Sequence, residues 1–172
     1  MNISELSDKE KELLSRVDQL RGTIEEKSDQ VVYFGITKDY RVVHQEYSLL
    51  ARSNYEALKR GLFLIWYAKS EPTWLTGIGE LDRRAEERII KILDRRLKRD
   101  ITDYELEWML DYYSSWDFVF DEFRNFKNFH QRITGDSKTD YPEKIDKEEM
   151  ERRGLMGIYW NSLKMFNKAT SS

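Results

Sequence analysis

The side chains of this chain that could move a proton or hold an anion near neutral pH are few in histidine and many in arginine. It has two histidines, His44 and His130, and no cysteine, with 29 lysines and arginines against 32 carboxylates. Without cysteine there is no thiol nucleophile, redox pair or cysteine-bound zinc. A carboxylate-bridged metal centre in a helical bundle shows Glu-x-x-His on two helices, yet no Asp or Glu stands three residues before either histidine. Gly77-Ile78-Gly79 is too short to cradle a phosphate, and no GxxxxGK[ST], GxGxxG or GxSxG run occurs. No cofactor and no metal is expected. One run keeps chemical interest: Arg124-Asn125-Phe126-Lys127-Asn128-Phe129-His130. Histidine titrates near neutrality, and arginine offers a fixed fork of donors to phosphate oxygens. On an unbroken helix six residues turn the chain by 600°, leaving Arg124 and His130 about 120° apart, so joint action requires a kink or a helix end between them.

That run resembles the Arg-x4-6-His signature of HEPN-type ribonucleases, small all-α proteins that pair their active sites across a homodimer. The resemblance implies that His130 acts as general acid or base on the attacking 2'-hydroxyl or the leaving oxygen. It implies also that Arg124 steadies the phosphate charge and that Asn125 helps to orient it. The match covers seven residues of 172, and Gln131 and Arg132 follow where the family more often has a small residue and a glycine.

Charge is distributed in blocks. Residues 83–99 carry eight basic and three acidic side chains, and residues 100–122 carry eight acidic and no basic ones. Within the first block Arg84, Arg88, Lys91, Arg95 and Lys98 recur at steps of four, three, four and three, which is one face of a helix. Two neighbouring blocks of opposite sign are expected to fold back as a hairpin with mutually attracting flanks; the alternative is a surface for a partner or for RNA phosphates. Glu87, Asp94 and the acidic block would repel phosphates, which favours a protein partner over RNA. Trp74 and Leu75 lie in a connection, where bulky apolar residues either tuck back or meet a partner. The aromatic residues at helical spacing are expected to be core. Asp117, at the edge of an apolar stripe, is expected to form a buried or half-buried ion pair with Arg124 or to partner Asn54.

The elements that must position these groups are helices, since only two prolines and eight glycines occur and they fall mostly between periodic segments. The pattern predicts helices over 7–29, 38–70, 80–99, 103–133 and 147–168. Ser7 with Glu10 reads as a capping box, and so does the run from Thr102 to Glu105. Residues 31–36 could form a short extended connection, and 134–145 a surface loop. The second helix places Tyr40, Val43, Tyr47, Leu50, Leu58 and Ile65 on one face, with His44 at its rim, Asn54 as a polar group in the core and Gly61 where a neighbouring backbone approaches. From Gly61 onward it is apolar all round, hence central. The last helix turns Met150, Leu155, Tyr159, Leu163 and Phe166 inward.

The expected architecture is therefore all-α, one domain over residues 1–172, a bundle of four to five helices with short connections. The longest apolar run, seven residues over 62–68, is far short of the about 20 that span a bilayer, and the start lacks a basic stretch with an apolar signal core. A cytoplasmic protein without membrane contact is expected. Its leading functional reading is a non-catalytic interaction module, a regulator, adaptor or immunity-type protein, contacting an unidentified protein partner through Trp74, Leu75, Arg84, Arg88, Lys91 and Arg95. The rival readings are the metal-independent, homodimeric ribonuclease using Arg124, Asn125 and His130, and a non-catalytic helical RNA-binding module.

Overall fold

The computed structural model describes residues 1–135 and 146–169, with side chains through residue 163 outside that gap. Among the described residues there is no strand. The elements are α1 (Ile3–Asp18), α2 (Ile24–Tyr33), α3 (Ile36–Leu50), α4 (Tyr55–Ser70), α5 (Thr73–Thr76), α6 (Arg83–Lys98), α7 (Tyr104–Ser114), a 3-10 helix (Asp117–Phe123), α8 (Lys127–Ile133), α9 (Lys147–Glu151) and α10 (Gly154–Ala169). The all-helical class holds, but the count of four to five does not, because most of the expected long helices are broken at identifiable residues.

The span 7–29 is two helices. Asn2, not Ser7, caps the first: its Oδ1 accepts from the amides of Ser4 and Glu5 at 3.0 Å, and Glu5 reaches back to the Asn2 amide at 2.9 Å. Glu10 is freed from any capping role and points into the core. A second capping box, Thr23 with Glu26, restarts the chain after Gly22 at φ 110°. Residues 31–36 are not extended. Val31 is buried in α2, and Gly35 at φ 71° turns the chain directly into α3.

The span 38–70 is interrupted at Asn54. This residue is extended, φ −125° and ψ 111°, and its Oδ1 accepts from the Ala57 amide at 3.0 Å. Asn54 is thus the cap of α4 and not a polar group in the core, because a short amide side chain competes for free helix-end amides. The span 103–133 is α7, the 3-10 helix and α8. Asp103 caps α7 through the Leu106 amide at 2.8 Å, in place of a Thr102 box. Asp94 of α6 accepts from the amides of Asn128 and Phe129, at 2.8 and 3.0 Å, and so fastens the start of α8. Asp117 is exposed, and Arg124 pairs with Asp121 at 2.7 Å, so the expected buried pair does not form. The last span divides at Arg152 and Arg153, before Gly154 at φ 62°. The loop expected over 134–145, beyond Gly135, and the Phe166 side chain lie outside the described residues.

At the centre is α4, whose residues 57–66 are all buried. Around it pack α3, α6, the 3-10 helix and α10. Trp66 stacks on Tyr113 with centroids 5.0 Å apart, and Trp108 meets Trp160 edge-on at 4.5 Å, so one aromatic cluster joins α4, α7 and α10. Gly61 sits where α6 comes closest: a Cβ there would lie 2.6 Å from Ile89 Cδ1. The neighbour is a side-chain tip and not backbone. Gly61→Ala is therefore expected to lower stability by about 1–2 kcal/mol, and Ile89→Val in that background to recover part of it. Urea denaturation checks this; an Ile89→Val change that only adds to the loss would show that the two do not meet.

Candidate functional site

The basic stripe is exposed, and its charges are not taken up by the acidic block. The carboxylates of residues 100–122 turn elsewhere. Asp103 and Glu105 bind Lys59 of α4 at 2.6 and 2.5 Å, and Glu107 and Asp111 bind Arg132 of α8 at 2.9 and 2.7 Å. Of the basic residues on α6, Arg83 alone pairs with that block among the described residues, through Glu122 at 2.5 Å. The expected charged hairpin is thereby overturned. Helix α7 is neutralised by α4 and α8, which leaves the outer face of α6 positive.

That face forms one wall of a groove against the end of α3. A cavity of about 590 Å³ is lined by Ser48, Leu49 and Arg52 on one side and by Arg88, Lys91, Ile92, Arg95, Arg96, Arg99 and Ile101 on the other. Among the described residues, six cations and no carboxylate line it. The apolar part is aliphatic, and Leu49 and Ile101 are 60% and 50% exposed. Two of the arginines are held: the Arg88 Nη1 donates to Ser48 Oγ at 2.8 Å, and the Arg96 guanidinium lies 4.4 Å from the Tyr55 ring centre. Arg52, Lys91, Arg95 and Arg99 have neither an ion pair nor a side-chain hydrogen bond among the described residues. Of the acidic residues within the stripe, Glu87 pairs with Arg83 at 3.0 Å and Asp94 is turned to α8, and Asp100 faces a different cavity beside Glu107 and Arg132.

Of the expected contact residues, Arg88, Lys91 and Arg95 line this groove, while Arg84 is exposed further up α6 beside Asp82. Trp74 and Leu75 belong to α5, which packs on α1 and α2; Trp74 is half-buried and Leu75 exposed, and neither lines the groove. Arg124 is exposed and committed to Asp121, Asn125 is exposed, and His130 is half-buried on α8. A break does separate Arg124 from His130, at Phe126, but no hydrogen bond joins them. Ser48, Leu49, Arg52, Arg96, Arg99 and Ile101 are groove residues that periodicity missed. Asn54, a residue of N-cap type, signals the start of α4 and so the turn that holds Arg52, but not that this turn lies against α6.

A second cluster of titratable groups is internal. Glu10, 1% exposed, accepts from the Tyr47 hydroxyl at 3.1 Å and from the Leu155 amide at 3.2 Å. Arg60 connects Ser7, Tyr47 and Glu56; Arg153 connects Glu56 and Glu105; Lys59 connects Glu105 and Asp103. Charges alternate along this chain, and it ties α1, α4 and α7 to the α9–α10 junction. Burial pushes the Glu10 carboxyl up to about 7, against the pull of Arg60 and its two hydrogen bonds. Burial also works to raise Glu56, but Arg153 and Arg60 overcome it and hold the carboxyl below its ordinary range. His44 is not at a rim: it is fully buried, and neither ring nitrogen makes a well-formed hydrogen bond among the described residues. Desolvation lowers it to about 4, against a weaker pull from the Gly61 backbone. Both groups are sealed in the core, away from the surface groove.

No group of three or more His, Asp or Glu among the described residues is placed to hold a metal ion. Among the same residues no helix is long and apolar enough to cross a membrane. No protein-family profile, curated protein or solved structure matches the chain. The groove and its charges are thus what the functional reading has to stand on.

Proposed function

We propose that the protein is a non-catalytic helical binding module that captures an acidic polypeptide segment of a partner protein in the groove between α3 and α6. The observation that carries this reading is six cations around one cavity with an aliphatic floor and, among the described residues, no lining carboxylate. Solvated charge alone would not require Leu49, Ile92 and Ile101 to share that space. Binding of single-stranded RNA uses aromatic platforms for the bases. The chain has five Trp, ten Tyr and eight Phe, yet among the described residues none of them lines this cavity, and aliphatic side chains share it instead. From Arg84 to Lys98 the stripe is about 21 Å long, enough to face roughly four turns of a helix. We place the contact here and not at Trp74 and Leu75, because the Trp74 turn is already packed on α1 and α2.

The test is fluorescence anisotropy with a labelled Glu/Leu amphipathic peptide, its Lys/Leu counterpart and oligo(U), at about 50 and 200 mM salt. Wild-type protein is expected to bind the Glu/Leu peptide with Kd below about 100 μM and to leave the Lys/Leu peptide unbound. Arg88→Glu with Arg95→Glu is expected to weaken binding at least about thirtyfold at unchanged helicity. Since Arg88 also holds Ser48, Lys91→Glu with Arg95→Glu is the parallel variant, altering two side chains without protein partners among the described residues. Tighter binding or cleavage of oligo(U) would overturn the reading in favour of RNA, and cleavage lost in His130→Ala would point to the Arg124 to His130 run.

A further inference from the structure

The groove is not uniform along its length. Next to the cavity with the aliphatic floor lies a second one, of about 580 Å³, whose lining among the described residues is Arg52, Arg95, Lys98 and Arg99. Arg52, Arg95 and Arg99 line both cavities, so the two are continuous at one end of the groove. Cations in the last turn of α6 have an ordinary explanation, since they complement the negative end of the helix dipole. Arg52 follows the end of α3 and complements that helix in the same way, but it comes from a different element, and with it four cations from two helix ends converge on one cavity. None of the four has an ion pair or a side-chain hydrogen bond among the described residues, so nothing described within the protein neutralises them.

On the reading of the groove as a site for an acidic segment, we propose that this end takes a phosphoryl group carried by that segment, a phosphoserine or phosphothreonine beside an aliphatic residue. A single carboxylate brings one negative charge and two oxygens, and would leave most of the four cations unpaired. A phosphate monoester near pH 7 brings about −1.5 to −2 charges and three acceptor oxygens, which three guanidinium forks and an ammonium can share. The aliphatic floor of Leu49, Ile92 and Ile101 receives the neighbouring side chain. The site therefore reads two features at once, an apolar anchor and a dianion, and unmodified acidic sequence supplies only the first of these fully.

Three labelled peptide pools test this. They are identical in having Leu or Ile fixed beside a central position and degenerate flanks, and they carry Ser, Glu or phosphoserine at the centre. Anisotropy is expected to show the phosphoserine pool bound at least about tenfold more tightly than the Glu pool, and the Ser pool weakest. Arg52→Ala and Arg99→Ala, which remove cations that line both cavities, are each expected to weaken both acidic pools but the phosphoserine pool at least about tenfold more, so that its preference over the Glu pool disappears. Both side chains are exposed and without partners among the described residues, so circular dichroism of these variants is expected to match wild type. Equal binding of the Glu and phosphoserine pools overturns the phosphoryl site and leaves the acidic-segment reading standing. If no pool binds, both fall. A phosphoserine preference that survives Arg52→Ala also overturns the proposal, because it places the phosphoryl group elsewhere, and inorganic phosphate competing as well as the peptide pool would remove the role of the aliphatic floor.

Discussion

Arg153→Met is expected to lower the stability of the protein by about 3 kcal/mol, read as a shift of the urea midpoint at unchanged slope. Arg153 stands at the junction of α9 and α10 and reaches two other helices. Its Nε and Nη2 donate to Glu56 of α4 at 2.6 and 2.5 Å, and its Nη2 and Nη1 to Glu105 of α7, the first at 3.0 Å. The side chains of Arg153, Glu56 and Glu105 are 10%, 28% and 18% exposed, so water replaces little of what the guanidinium supplies. Taking it away leaves two half-buried carboxylates facing one another. Arg60 and Lys59 still compensate each of them, which sets the expected loss at the lower end of the about 3–5 kcal/mol typical of a broken buried pair. Because α10 carries Trp160 into the aromatic cluster, the near-ultraviolet circular dichroism is expected to weaken in the same variant. Glu56→Leu with Arg153→Met is expected to lose about 1–3 kcal/mol less than the two single losses summed. Strict additivity would show that the pair contributes nothing to holding the C-terminal helices.

This network also marks the limit of what periodicity reveals. Helical class and the central place of α4 were legible, because proline and glycine are scarce within the segments and residues 62–66 are apolar whatever face they present. The breaks were harder. Asn54, Thr23 and Asn2 end or begin helices through one side-chain oxygen each, and the apolar spacing runs on through Asn54 as though the helix continued. Glu10 was visible as a fault in an apolar seam, but its partners Tyr47 and Leu155 are 37 and 145 residues away. The candidate site divides in the same way. Arg88, Lys91 and Arg95 declare themselves by their three- and four-residue steps on one helix. Arg52 and Leu49 belong to the groove only because α3 stops there and lies against α6, a tertiary fact that no local pattern carries. The acidic block misled for a similar reason: charge order suggested a hairpin, whereas its carboxylates find Lys59, Arg132 and Arg153 from elements distant in the chain.

The two sealed titratable groups have opposite linkages, and their opposition is expected to flatten the wild-type stability profile between about pH 4.5 and 6.5, with Glu86, also raised by burial, adding to the Glu10 side. Glu10 is raised in the folded protein from 4.5 to about 7, so the folded state holds a proton that the unfolded chain has released. Its contribution is present below pH 4.5 and is lost as the pH rises through 7, about 3 kcal/mol in all. His44 is lowered from 6.5 to about 4, so the unfolded chain takes up a proton that the core refuses. Its contribution is present above pH 6.5 and is lost as the pH falls through 4, again about 3 kcal/mol. In the shared window one slope is negative and the other positive, each about 1.4 kcal/mol per pH unit. Glu56 and Asp103, held low by Arg153, Arg60 and Lys59, exert their effect below that window. Substitution of either group uncovers the other. His44→Phe is expected to lose stability as pH rises from 4.5 to 7, and Glu10→Gln to gain stability as pH rises from 4 to 6.5. Urea midpoints at about pH 4.5, 5.5 and 6.5 for the three proteins decide the matter through slopes and not absolute stabilities, so the packing change at each site drops out. Parallel profiles in all three would mean that neither core group is held away from its ordinary titration.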